Sequence, residues 1–420
     1  PSIDLTVTWA GLDGDLGTTA DNVVYTATTD ANGQYSVGNL AAGTYRVDVD
    51  TGDLPAGFTE ETFDLDGIVT ASTTTTTLTI GQDRTNVDFG YTGQGSISDT
   101  VWLDLDGNGT QDGLEPGIGG VTLDLVYDIN GNGVFDSGTD VVIDTTTTDS
   151  DGLYLFDELL PENYLVRVTD TGNVLTDATN TFDKDDYAGV NNDGIGATEL
   201  GADENDDGVD FGYQGDASIS DFVWNDFNGD GVQDGDEPGV ESVALNLYED
   251  RNNDGLIDAG DVQIDTTTTD SDGLYLFEGL IAGNYLVEVD TTSTGLAGGT
   301  NTFDKDDYAG SNNDDIGAVE LGSNEDDTAV DFGYVGDAQL GDYVWFDLNG
   351  DGLQDATEPP LPGVRVYLDL NENGSFDAGD ASVLTDASGA YVFTGLLPRD
   401  YDVRVDGSTL PSGATGTTVF

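Results

Sequence analysis

The chain has no cysteine and no histidine, and only 9 lysines and arginines stand against 84 aspartates and glutamates in 420 residues. Each shortage removes a class of proteins. Without cysteine no disulfide braces the fold, whatever the redox compartment. Without histidine, the usual zinc and copper sites and the Ser-His and Cys-His nucleophile pairs are excluded. A net charge of −75 excludes nucleic acid as a partner and disfavours docking on an anionic membrane. No apolar run approaches the length needed for membrane insertion. No amphipathic window of useful length predicts a helix.

What is present is ordered. Hydrophobic residues make up 36% and are too regularly spaced for a disordered acidic tail. Glycine, at 59, far outnumbers proline, at 10, which suits short strands and turns. The abundant ligand chemistry is hard oxygen from Asp, Glu and Asn. Flexible multi-oxygen loops favour calcium among the hard cations.

The chain repeats one module. "SISDTVWLDLDGNGTQDGLEPG" from 96 returns as "SISDFVWNDFNGDGVQDGDEPG" from 218 and "QLGDYVWFDLNGDGLQDATEPP" from 339. Trp102, Trp224 and Trp345 are thus spaced by 122 and 121 residues, in strand patterns that predict core positions. "NVDFGYTG" (86–93), "GVDFGYQG" (208–215) and "AVDFGYVG" (329–336) close the copies. The predicted domains are 94–215 and 216–336, flanked by incomplete copies at 1–93 and 337–420. Period-two runs such as "VTLDLVYD", "DGLYLF" and "NYLVRVTD", punctuated by Gly, Asn and Asp, predict tandem all-β sandwiches.

Two acidic loops recur in each module. Loop one has the EF-hand ligand pattern, with oxygen donors at positions 1, 3, 5 and 9, glycine at 6, a backbone carbonyl at 7 and glutamate at 12. Its residues are Asp104, Asp106, Asn108, Thr110, Asp112 and Glu115, then Asp226, Asn228, Asp230, Val232, Asp234 and Glu237. The third copy has Asp347, Asn349, Asp351, Leu353, Asp355 and Glu358. Loop two, one strand later, offers Asp128, Asn130, Asn132, Asp136 and Asp140. Its counterparts are Asp250, Asn252, Asp254, Asp258 and Asp261, and Asp369, Asn371, Asn373, Asp377 and Asp380. It closes in Asp, not Glu, and is one residue longer in the first copy.

The bland alternative is ordinary Asx turn chemistry with solvated charge. Against it, two carboxylates about 4 Å apart repel by roughly 4 kcal/mol at an effective dielectric of 20, so four would splay without a cation. Both readings stay open for "FDKDDYAGVNND" (182–193), "FDKDDYAGSNND" (303–314) and the degenerate "DGDLGTTAD" (13–21). The Thr runs at 73–77, 145–148 and 266–269 read as exposed strand faces. Paired acids of the kind a glycosidase uses recur in every copy, whereas an active site is usually unique, so no enzyme is expected.

The thread "TD-x-x-G-x-Y-x-F-x-x-L-x-x-x-x-Y-x-V-x-V" resembles the signature of collagen-adhesin (Cna) B-type sandwiches, an Ig-like Greek-key fold. The "D-x-VW-x-D-x-NGDG-x-QD-x-x-EPG" motif followed by "VDFGY" resembles the calcium-binding B domains of serine-aspartate-repeat (Sdr) surface proteins. The resemblance implies EF-hand-like calcium loops between strands, and stalk modules of a secreted or cell-surface protein. Neighbouring repeats of the same chain are the expected partners. Linkers of about five residues favour a rod, and self-association into fibres is open. The alternative is an adhesin module gripping a host or matrix ligand; deleting the repeats would then abolish adhesion without changing reach. Many Cna-type domains cross-link a first-strand lysine to an asparagine. Lys184 and Lys305 both lie in late segments, so that bond is not expected here.

Overall fold

The computed structural model describes residues 2–55, 57–58, 60–184, 192–305 and 313–414. Strands dominate, interrupted only by short 3-10 turns such as Thr51–Asp53, and no α-helix occurs among the described residues. The chain divides into two compact units. One comprises Pro1–Trp102, Gly117–Gly172 and Phe182–Gly212, the other Leu103–Pro116, Asn173–Thr181 and Tyr213–Phe420.

In the first unit, strands Val23–Thr28, Asp4–Trp9, Gly43–Val49 and Thr73–Leu78 form an antiparallel sheet in that order. Leu5, Val7, Tyr45 and Val47 are buried on its inner face. A second sheet, Ile195–Glu199, Asn163–Val168, Thr122–Tyr127 and Val141–Thr147, buries Val126, Leu165 and Ala197.

The repeat 216–336 lies in the second unit and shows how the module is built. One sheet orders Val262–Thr268, Ala244–Glu249, Gly283–Val289 and Ile316–Leu321. The other orders Leu274–Leu280, Ala217–Asn225, Phe332–Val335 and Thr300–Asp304. Alternation sends Tyr275 and Phe277 inward while Leu274 and Leu276 stay about half exposed. The inward residues of both sheets, among them Ile219, Leu245, Leu247, Val287 and Phe332, make one continuous core. This is a β-sandwich, as the period-two pattern predicts. The opening strand Ala217–Asn225 runs parallel to the closing strand Phe332–Val335, with Val223 opposite Phe332 and Asn225 opposite Tyr334.

The recurring thread is explained by hydrogen bonds. Thr148, Thr269 and Thr385 are buried; each hydroxyl accepts from one backbone amide (Val121, Val243, Val364) and donates to one carbonyl (Ile118, Val240, Leu361) at 2.6–3.0 Å. The following aspartate caps the turn: Asp149 accepts from the amides of Asp151 and Leu153. The tyrosines Tyr164, Tyr285 and Tyr401 each donate to the carbonyl four residues earlier.

Two expectations need correction. The Thr run at 73–77 is not simply an exposed face, because Thr74 and Thr76 point inward and Thr74 donates to Asp66. Trp102 and Trp224 are core residues packed on Phe182 and Phe303, but Trp345 is only half-buried. Among the described residues of 337–420 there is no closing strand to cover it.

Candidate metal centre

In repeats 94–215 and 216–336, loop one leaves an opening strand that is paired on both edges, so its first aspartate starts from a buried position. In 337–420 the opening strand pairs on one edge only among the described residues, and Asp347 is half-buried. Asp104 and Asp226 are fully buried, and their amides donate to the closing-strand carbonyls of Tyr213 and Tyr334. The Asp104 carboxylate accepts from the amides of Asn108 and Gly109 at 3.1 and 2.8 Å, and Asp226 accepts equivalently from Gly229, Asp230 and Gly231. Gly109 and Gly231 have φ near +74° and +72°, a conformation in which a side chain is strained, which explains glycine at position 6. Position 5 then orients position 7: Asn108, Asp230 and Asp351 accept from the amides of Thr110, Val232 and Leu353 at 2.7–2.9 Å.

The closing carboxylate ties the loop shut. Glu115 accepts from the amides of Leu105 and Asp112, both at 2.9 Å, and Glu358 does the same for Leu348 and Asp355. Loop two uses its aspartate in this role. Asp140, Asp261 and Asp380 each accept from the second residue (Ile129, Arg251, Leu370) and from Asp136, Asp258 and Asp377. The extra residue in the first copy is absorbed without moving Asp140 from that place. Asn130 and Asn132 both hold Asp136 at 2.9 Å, and Asn371 and Asn373 hold Asp377. Asn252 bridges Asp254 and Asp258, Asn349 bridges Asp351 and Asp355, and Asn228 reaches Asp234. The loops are therefore assembled as the spacing predicts, around Asp128, Asp250 and Asp369 in loop two.

The donor set can be tested against a hard divalent ion. Carboxylate oxygens of Asp104, Asp106 and Glu115 lie within 4.8 Å of one another. Bonds of about 2.3–2.6 Å to one calcium would span that separation. In the second copy, Glu237 is 8% exposed and its Oε1 has no hydrogen-bond partner. Burial pushes its carboxyl above the usual range, and Asp226 adds repulsion. Glu115 is raised for the same first reason. A buried, unpartnered acid oxygen beside a second buried acid fits a cation in the loop. One loop differs: Arg404 places its guanidinium 2.7 Å from Asp369, whereas Arg167, its counterpart, pairs with Asp124 outside the loop.

The structure also brings together acids that motif spacing alone does not reveal. Asp99, in "SISD", lies opposite Tyr154, whose hydroxyl donates to Val209 next to Asp210 of "VDFGY". Burial pushes Asp99 up to about 8, with Asp210 as the second cause. Asp221 rises to about 7 through burial and Asp331 in the same way. The signal was in the sequence, since both acids sit inside the two repeated phrases.

The third acidic stretch is partly resolved in role. Asp183 accepts from the amides of Asp193 and Gly194, Asp304 from Asp314 and Asp315, and Lys184 and Lys305 pair with Asp206 and Asp327. Residues 185–191 and 306–312 lie outside the described residues. In "DGDLGTTAD", Asp13 and Asp15 bond within their own turn and Asp21 accepts from the Leu12 amide.

Comparison with known proteins agrees with this architecture. The SdrD B-like domain model matches residues 95–213, 217–334 and 338–419. The chain is 34% identical over 411 residues to serine-aspartate repeat-containing protein D of Staphylococcus aureus (strain Newman), covering 94% of this chain and 28% of that protein. It is 33% identical over 405 residues to serine-aspartate repeat-containing protein F of Staphylococcus epidermidis, covering 93% of this chain and 22% of the relative. The chain belongs to the SdrD B-like domain family and spans under a third of those relatives. Solved structures it resembles include the Bacillus anthracis TIE protein (11% identity, TM-score 0.26, 96% of this chain and 63% of that one). Another is the shaft pilin spaA of Lactobacillus rhamnosus GG (11% identity, TM-score 0.21, 59% of this chain and 99% of that one).

Proposed function

We propose that this chain is a spacer region of a large secreted or cell-surface protein, built of sandwiches that calcium stiffens through loops one and two. Family membership supports the stalk or adhesin-associated role. The metal reading rests on Glu237, whose buried, unpartnered oxygen faces a loop with no basic side chain among its twelve residues. A bound cation would be held by these loop oxygens and would neutralise the converging carboxylates. The chain's own contribution is to hold the first and last acids by backbone amides, so that they converge before any ion arrives.

A ligand that binds only the folded state adds stability as the logarithm of its concentration over Kd, about 2.7 kcal/mol at a hundredfold excess. Removing calcium with EGTA is expected to lower the melting temperature and open residues 103–140 to protease. Glu115→Gln should reproduce this in one module. Identical melting and digestion with and without calcium would remove the metal reading and leave a plain sandwich spacer.

A further inference from the structure

Within the second compact unit, loop one of one repeat touches the next. Leu105, at position 2 of its loop, packs against the core of 216–336, and its carbonyl accepts from Gln214 at 2.9 Å. Phe227, at the same position, packs into the core formed by Val366, Leu368, Phe393 and Leu396. Beside it, Asn225 donates to Gly395 at 2.8 Å and accepts from the Leu397 amide at 3.1 Å. The joint closes with Gly215 donating to Gly279 and Gly336 donating to Gly395, both at 3.0 Å.

The receiving turn carries a sequence rule. Asn39, Glu158, Gly279 and Gly395 occupy one turn position, and all have positive φ, +60°, +58°, +80° and +74°. A side chain at Gly279 would overlap the Leu105 carbonyl, and one at Gly395 would overlap the Phe227 carbonyl. Backbone conformation therefore does not demand glycine here, since Asn and Glu adopt it in other copies. The close approach of the preceding loop does.

The same residue serves both contacts. The amide of Leu105 is held by the closing Glu115, while its side chain packs on the core of 216–336 and its carbonyl lies against Gly279 of the next repeat. We propose that loop one is the docking element between successive repeats, that glycine at the receiving turn admits it, and that cation binding and docking are one linked equilibrium. The partner is the adjacent copy of the module, and the linkage rests on the calcium reading above. Linkage is reciprocal: docking must tighten the ion as much as the ion tightens docking, typically by about 5–150-fold.

The test uses the full chain and calcium alone as probe, followed by hydrogen exchange resolved to each loop. The amides of Gly109, Gly231 and Gly352 report equivalently, because each donates to the first aspartate of its loop. Gly279→Asn keeps a turn that Asn39 already tolerates but fills the space of the Leu105 carbonyl. It is expected to raise the calcium concentration that protects loop 104–115 at least about fivefold, leaving loop 347–358 unchanged. Leu105→Ala, which leaves the turn intact, should shift the same loop and covers the case in which the first variant misfolds. Calcium should also slow exchange at the 279–281 turn in the parent chain, which a merely structural seam would not. Response of the parent loops to calcium with no shift in either variant overturns the linkage and leaves the metal reading standing. Parent loops that ignore calcium overturn both.

Discussion

Loop one of repeat 216–336 and loop one of repeat 337–420 share a motif but not an environment. Asp226 and Glu237 are buried, flanked by Asn225 at 1% exposure. In the later copy, Phe346 replaces Asn225 at 38% exposure and Leu348 stands 61% exposed. Asp347 is held below the usual carboxylate range, first by the Gly352 amide, whereas burial raises Glu237. The motif fixes the internal hydrogen bonds of the loop. Burial comes from elsewhere, from the closing strand Phe332–Val335 on one side and the turn at Gly395 on the other. The same ligand set should therefore act as a desolvated site in one repeat and a solvent-screened one in the next.

The largest expected effect separates these two loops. In excess calcium, Glu237→Gln should destabilise its repeat by about 2.7 kcal/mol at a hundredfold excess, and Glu358→Gln by clearly less. Calorimetry in calcium and in EGTA checks it, and equal losses in calcium would break the comparison. A smaller effect follows from the acid pairs. Asp99 and Asp221, raised to about 8 and about 7, hold protons in the folded state that the unfolded chain has already lost. Metal-free stability should accordingly be greatest near pH 4 and decline as pH rises towards 8. Asp210→Asn and Asp331→Asn should flatten that decline in urea melts. Smallest is the effect of Arg404, which is partly exposed. Arg404→Gln should raise the calcium affinity of loop 369–380 by about two- to fivefold, without changing loop 128–140. Site-resolved exchange reads both.

Much of this was legible in sequence because the interactions are local. Period-two runs gave the strands, and fixed spacing placed Asp104, Asn108 and Glu115 around one turn. What was not legible depends on partners far along the chain. Asp221 and Asp331 meet only because two strands pair in parallel across more than a hundred residues. The inward turn of Thr74 depends on Asp66 and on a sheet neighbour, not on the run of threonines itself. Trp345 carries the same motif as Trp224, yet its exposure is decided by a strand that the described part of its repeat does not contain. Asp140 sits one residue off its counterparts in sequence and in the same place in space, because the turn at Thr139 takes up the insertion.

The parallel pairing also has a mechanical meaning. Tension applied along the chain across the repeat 216–336 would enter at Ala217 and leave at Val335, at opposite ends of two neighbouring strands that run the same way. Such a load slides the strands past each other instead of peeling them apart. Hydrogen bonds between parallel strands are evenly spaced and slant across from one strand to the other. They would share the pull together, with Trp224, Phe332 and Tyr334 buried beside them, so a stretching force applied at Ala217 and Val335 is expected to meet resistance to shear.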